Sequence, residues 1–142
     1  MKYLLDTCVI SELVTKSPDP NVVEFVDALE PDDVFLSVIT IGEIVKGIEK
    51  LPTSKRKQEL HAWLQEDLLI RFDGKILSLD TNILMVWGKL SAQVEAAGKP
   101  MPAIDSLIAA TVLVYELTLI TRNVGDFETA GIEIVNPWNA GK

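Results

Sequence analysis

Short unbroken apolar runs along this chain alternate with stretches in which apolar residues recur every three or four positions. Tyr3-Leu4-Leu5 is such a run, ending at Asp6-Thr7, and Val9, Ile10, Leu13 and Val14 then recur at helical spacing until Ser17-Pro18-Asp19-Pro20 breaks the pattern. The pattern predicts a strand followed by a helix. A second helix fits Asn21 to Glu30, with Asp19 as N-cap and Pro20 at its first position, and Val34 to Val38 follows as a strand. Ile39-Thr40 opens a third helix to Leu51. After Pro52-Thr53-Ser54 a fourth carries Leu60, Trp63, Leu64 and Leu68 on one face and charge on the other.

Ile76 to Leu79 predicts a third strand. Asp80 can cap a helix whose inward stripe is Ile83, Leu84, Trp87, Leu90, Ser91 and Val94 and which ends at Gly98. Beyond Lys99-Pro100-Met101-Pro102, a helix from about Ala103 to Glu116 is apolar nearly all round, which predicts burial on several sides. Leu117 to Thr121 reads as a core strand and Glu133-Ile134-Val135 as an edge strand stopped by Pro137. Strands of this kind alternating with helices predict an α/β three-layer fold around a mostly parallel sheet of about five strands. No repeat or linker divides the sequence, so a single domain over residues 1–142 is expected.

Composition narrows the function classes. With 48% apolar residues the 142-residue chain can bury a real core, which excludes intrinsic disorder. One Cys (Cys8) and one His (His61) furnish neither an internal disulfide nor a Cys/His zinc site, and point to a reducing compartment. The longest charge-free apolar stretch, Ser106 to Tyr115, is far shorter than the roughly 20 residues of a membrane span, so a soluble cytoplasmic protein is expected. A net charge of −8 argues against a protein that coats duplex nucleic acid.

Parallel sheets collect ligands at the carboxyl ends of their strands, where strand order reverses. Asp6 follows the first strand, Glu43 lies in the first turn after the second, Asp105 opens the buried helix, and Asp126 follows the last core strand. All four are expected to converge. Each also has a purely local reading. Asp6 could complement a helix dipole, Thr40-Ile41-Gly42-Glu43 matches a T-x-x-E capping box, and Asp126 could cap a short helix to Ala130. Asp105 fits a local role less well, because few positions on its helix can be solvated.

Crowded carboxylates repel one another unless cations compensate, and hard oxygen donors without His or Cys select Mg²⁺ or Mn²⁺. One or two such ions suit phosphodiester hydrolysis by an activated water. No G-x-x-x-x-G-K-[ST] loop or G-x-G-x-x-G fingerprint supports a nucleotide-driven or dinucleotide function. His61 reads as a solvated surface residue and Cys8 as a packed one.

Leu-Leu-Asp6-Thr-Cys-Val-Ile-Ser-Glu, Ser37-Val-Ile-Thr-Ile-Gly-Glu43-Ile-Val-Lys-Gly47-Ile, Asp105-Ser-Leu-Ile-Ala-Ala and Thr121-Arg-Asn123-Val-Gly-Asp126-Phe, in this order across nearly the whole chain, closely resemble the PIN-domain ribonucleases of VapC type. Within these the chain is most similar to the FitB-like toxins of type II toxin–antitoxin modules. The resemblance implies that Asp6, Glu43, Asp105 and Asp126 form an acidic metal-binding quartet, with Thr7, Thr121 and Asn123 as polar neighbours; Asn123 shares or replaces part of the role of Asp126 in one reading. It further implies Mg²⁺-dependent endonucleolytic cleavage of RNA with 3′-hydroxyl and 5′-phosphate products, a homodimer, a small antitoxin partner and a higher toxin–antitoxin assembly.

Two rivals remain open: a DNA- or structure-specific nuclease of the same fold, and a non-catalytic module that binds a metal or a partner. If the four acids form a metal pocket, the net charge of −8 no longer excludes an enzyme that holds one strand briefly. The bases Lys46, Lys50, Lys55, Arg56 and Lys57 cluster near the third and fourth helices. Lys46 and Lys50 are the expected RNA-guiding pair.

Overall fold

In the computed structural model, which describes residues 1–139, β1 (Tyr3–Leu5), β2 (Val34–Ser37), β3 (Ile76–Leu77), β4 (Thr118–Ile120) and β5 (Ile134–Val135) form one sheet in the order β3-β2-β1-β4-β5. Every pairing is parallel and β5 lies at an edge, as the sequence predicts. The last three residues of the expected 1–142 domain lie outside the described residues. Successive strand residues point to opposite faces, so Leu5, Leu36 and Ile120 enter one core and Leu4 and Leu119 the other. Both faces need a cover of helices.

On the first face lie α1 (Thr7–Leu13), α2 (Pro20–Asp27), α3 (Val38–Glu49) and α4 (Lys55–Trp63), which contribute Val9, Val22, Ile44, Ile48 and Leu60. After α4 the chain widens into a π-turn at Leu64–Leu68 and closes with α5 (Leu69–Arg71). Leu64, Leu68 and Phe72, each four residues apart and each buried, face the same core. The second face is covered by α6 (Thr81–Ala96), α7 (Ala103–Tyr115) and the short α8 (Val124–Phe127), through Leu90, Val94, Ile108, Val112 and Phe127. Among the described residues, no helix is long and apolar enough to cross a membrane.

Asp19 and Asp80 cap α2 and α6 through their side chains, as expected. Other local expectations are corrected. α3 starts at Val38, because Ser37 leaves β2 with extended backbone and its Oγ accepts from the Ile39 N–H at 3.1 Å. Thr40 is therefore inside the helix and buried, the T-x-x-E box does not form, and Glu43 sits in the second turn rather than the first. Asp126 lies inside α8, with Asn123 at the N-cap position, so it is not a cap. Leu84 leaves the inward stripe of α6, and α7 turns Ile104, Leu113 and Tyr115 outward, because one side of each helix already covers the sheet.

α7 ends on Glu116, a non-glycine residue in the left-handed region at φ 53°. Glycine adopts that conformation without steric cost. Glu116→Gly is expected to stabilise the protein by about 1 kcal/mol in urea denaturation.

The chain steps outward from β1 through β2 to β3, then returns to place β4 on the other side of β1. The crevice between the carboxyl ends of β1 and β4 is thus the point where strand order reverses. The last residues of those two strands lead to Asp6 and Thr121.

Candidate active site

Asp6 closes β1, its N–H donating to the Ile120 carbonyl at 2.9 Å, and its buried carboxylate turns into the crevice. Oδ1 accepts from the Thr7 N–H at 2.9 Å and Oδ2 from the Thr121 hydroxyl at 2.8 Å. The second bond ties β1 to β4 across the reversal of strand order. Thr121 Oγ1 in turn accepts from the Asn123 N–H at 3.0 Å, which shapes the turn into α8. Burial pushes the Asp6 carboxyl above the ordinary aspartate range; the bonds from Thr121 and Thr7 oppose this, and the Glu43 charge adds to it.

Glu43 reaches the site from α3, where its Oε1 accepts from the Thr7 hydroxyl. Thr7 Oγ1 also lies 3.0 Å from Thr40 Oγ1. Thr40 thus belongs to the wall of the site and not to a helix cap. Its spacing of three residues before Glu43, which also has the form of a capping box, is the sequence signal for this contact.

Asp105, in the first turn of α7, makes no side-chain hydrogen bond among the described residues. Its carboxyl is pushed up first by burial, and then by the charges of Asp126, Asp6 and Glu43. One carboxyl therefore senses the other three, although they come from α8, β1 and α3. Asp126 itself is exposed. The Asn123 side chain forms no cap bond and its backbone alone contacts the site.

Among the described residues, no three acidic, His or Cys side chains stand as tightly together as a bound ion would draw them. The charges of Asp126, Asp6 and Glu43 nonetheless all push the Asp105 carboxyl up, and the four acids offer only hard oxygen atoms. That donor set fits a hard divalent cation.

A sign follows for pH. The folded protein favours protonated Asp105, so the cost of its charge is absent in acid and sets in as pH rises above the ordinary aspartate range. Asp105→Asn removes that cost. In chelator, its thermal melting point should gain on that of the unsubstituted protein between acidic and neutral pH, and the gain should shrink when Mg²⁺ is added.

Of the basic cluster, Lys46 and Lys50 line an open groove of about 500 Å³ with Glu43, Gly42, Gly47, Ile39 and Ile104. Arg56 and Lys57 serve the fold instead. Arg56 Nη2 donates to the Val14 carbonyl at 2.8 Å, and Lys57 Nζ donates to the carbonyls of Glu49 and Leu51 at 3.3 and 3.1 Å. His61 lies 3.2 Å from Glu49 Oε1, on the surface as expected. Cys8 is half-buried beside the site, its Sγ 3.5 Å from Thr121 Oγ1, and burial pushes its thiol up; it is packed rather than nucleophilic.

Comparison with known proteins agrees with this arrangement. The chain is 38% identical over 136 residues to Toxin FitB of Neisseria gonorrhoeae, covering 96% of this chain and 98% of that protein. It is 35% identical over 135 residues to VapC ribonuclease Y4jK of Sinorhizobium fredii, covering 95% and 96%. A crystal structure of FitAcB from Neisseria gonorrhoeae superposes with a TM-score of 0.92 at 37% identity, covering 96% of this chain and 99% of that one. The PIN domain family matches residues 3–131, a span that takes in every acid of the crevice. A parallel sheet with its acids gathered where strand order reverses, and a family match over that whole sheet but for β5, place this chain in the PIN-domain family.

Proposed function

We propose that this protein is a Mg²⁺-dependent endoribonuclease, a single PIN domain that acts in the cytoplasm as the toxin of a type II toxin–antitoxin module. The observation that carries the reading is the meeting of Asp6 and Glu43 on Thr7 at the crevice between β1 and β4, where the charges of Asp6, Glu43 and Asp126 help push the Asp105 carboxyl up. Relatives named as a toxin and as a ribonuclease supply the biological role.

Asp6, Glu43, Asp105 and Asp126 would hold the ion, with Mn²⁺ as a substitute. Bound there, a divalent cation supplies Lewis-acid stabilisation of the phosphodiester and an activated water. The chain's own residues prepare the site. Thr121 and the Thr7 N–H fix the Asp6 carboxylate, and the Thr7 hydroxyl fixes Glu43, so these two acids are oriented before substrate arrives. Asn123 braces Thr121 through its backbone. Lys46 and Lys50, one helical turn apart on α3, lead away from Glu43 and would hold RNA phosphates. A cognate antitoxin, a homodimer and a larger toxin–antitoxin assembly complete the proposal.

Replacing both Lys46 and Lys50 with Gln should weaken RNA binding and flatten its salt dependence by about 0.7 per lost contact; equal slopes would remove the groove from the account. The function itself is tested by incubating partner-free protein with defined RNAs and DNAs in Mg²⁺, Mn²⁺ or chelator and mapping the ends. Metal-dependent RNA cuts with 3′-hydroxyl and 5′-phosphate ends are expected. Cleavage of DNA alone would favour a DNA nuclease, and metal binding without turnover would favour a regulatory module.

A further inference from the structure

Arg122 stands between Thr121 and Asn123 at the carboxyl end of β4. Its backbone N–H donates to Cys8 Sγ at 3.5 Å, which seats it beside the crevice. Its side chain is exposed and lies over the Trp138 ring, with the guanidinium carbon 5.1 Å from the ring centroid. Among the described residues, that guanidinium donates no hydrogen bond and pairs with no carboxylate, in a chain of net charge −8. Arg56, by contrast, spends its guanidinium on the Val14 carbonyl.

Trp138 is itself held. Its backbone N–H donates to Asn136 Oδ1 at 2.9 Å, its backbone carbonyl accepts from Asn21 Nδ2 at 3.3 Å, and its ring packs against the core that contains Leu5, Ile10 and Val22. A guanidinium laid on a fixed aromatic ring keeps its fork of donors free and loses little freedom when an anion binds. A planar fork of this kind matches a phosphate with two parallel hydrogen bonds.

The position within the sheet supplies the direction. Lys46 and Lys50 extend from β2 through α3, Arg122 follows β4, and β1 with Asp6 lies between them. We infer that Arg122, oriented by Trp138, binds a backbone phosphate of RNA on the β4 side of the acidic crevice, so that cations grip the strand on both sides of the cleavage site. The inference rests on the ribonuclease reading above.

The test is the steady-state cleavage of a single-stranded RNA by the full chain in Mg²⁺ over a series of salt concentrations. Arg122→Gln should lower kcat/KM about tenfold, mainly through KM, and flatten its logarithmic salt dependence by about 0.7. Arg122→Lys should retain the slope, because the charge stays. Trp138→Leu should raise KM with the slope retained, because the cation remains but is no longer oriented. Unchanged KM and slope in Arg122→Gln, while the unsubstituted protein cuts RNA, would overturn this inference alone, as would a loss confined to kcat. Unaltered RNA kinetics with weakened inhibition by a protein partner would assign the residue to that partner instead. Failure of the unsubstituted protein to cut RNA would overturn both this inference and the reading beneath it.

Discussion

Asp105→Asn is expected to lower metal-dependent RNA cleavage by about 10³-fold or more, and Asp6→Asn by at least as much, since removal of a ligand forfeits several kcal/mol of charge stabilisation at about 1.4 kcal/mol per tenfold. The two variants fail in different ways. Asp105 makes no side-chain hydrogen bond among the described residues and is raised by its acidic neighbours, so the amide removes charge and little else. Its melting point in chelator should hold or rise. Asp6 already accepts from the Thr7 N–H and the Thr121 hydroxyl, and an amide nitrogen turned toward either donor breaks that bond. Asp6→Asn should therefore lose activity together with some stability. Rates above about one-tenth of the original in Asp105→Asn would remove that acid from the proposed ligand set. Ribonuclease assays and thermal melts on the same preparations separate the outcomes.

The largest expected effect on stability is at Phe127. It is 1% exposed and belongs to the core beneath α6 and α7, and it anchors the short α8 that carries Asp126. Truncation leaves a cavity in a helix too short to hold itself by backbone bonds alone, so Phe127→Ala should cost about 3–5 kcal/mol in urea denaturation. It should also lower cleavage under conditions where the protein remains folded, because Asp126 loses its support. Asp126→Asn is the control. Asp126 is exposed, so its replacement should leave stability nearly unchanged and still reduce turnover. A Phe127→Ala protein with native stability would contradict the packing described here. An Asp126→Asn protein with native turnover would transfer the fourth position to another group, with Asn123 of the same motif as the alternative.

The strands were legible because strands buried on both faces must be apolar throughout, and Leu4-Leu5 and Leu119-Ile120 supply both cores in consecutive residues. The gathering of the acids followed from the parallel topology, since residues just beyond β1, β2 and β4 share one edge of the sheet. Local patterns failed where a tertiary partner outbid them. Thr40-x-x-Glu43 has the form of a capping box, but Ser37 lies closer to the first free N–H of α3, and Thr7 on a neighbouring element takes the Glu43 side chain. The basic cluster likewise read as one patch. Arg56 and Lys57 are bound to carbonyls that only the folded chain brings near them, which leaves Lys46 and Lys50 in the groove. Nothing near Arg122 in the sequence distinguishes it, because the ring it lies on belongs to Trp138, which only the fold brings beside it.

The proposed reaction requires the crevice acids to cleave RNA through a divalent cation. The most direct measurement is the rate of RNA cleavage by the unsubstituted, partner-free protein as Mg²⁺ is titrated back after exhaustive chelation. Cleavage should be absent in chelator and return saturably with Mg²⁺, with no such return in Asp105→Asn at the same concentrations. Full-rate cleavage in chelator, or an identical return of rate in Asp105→Asn, would contradict that reaction.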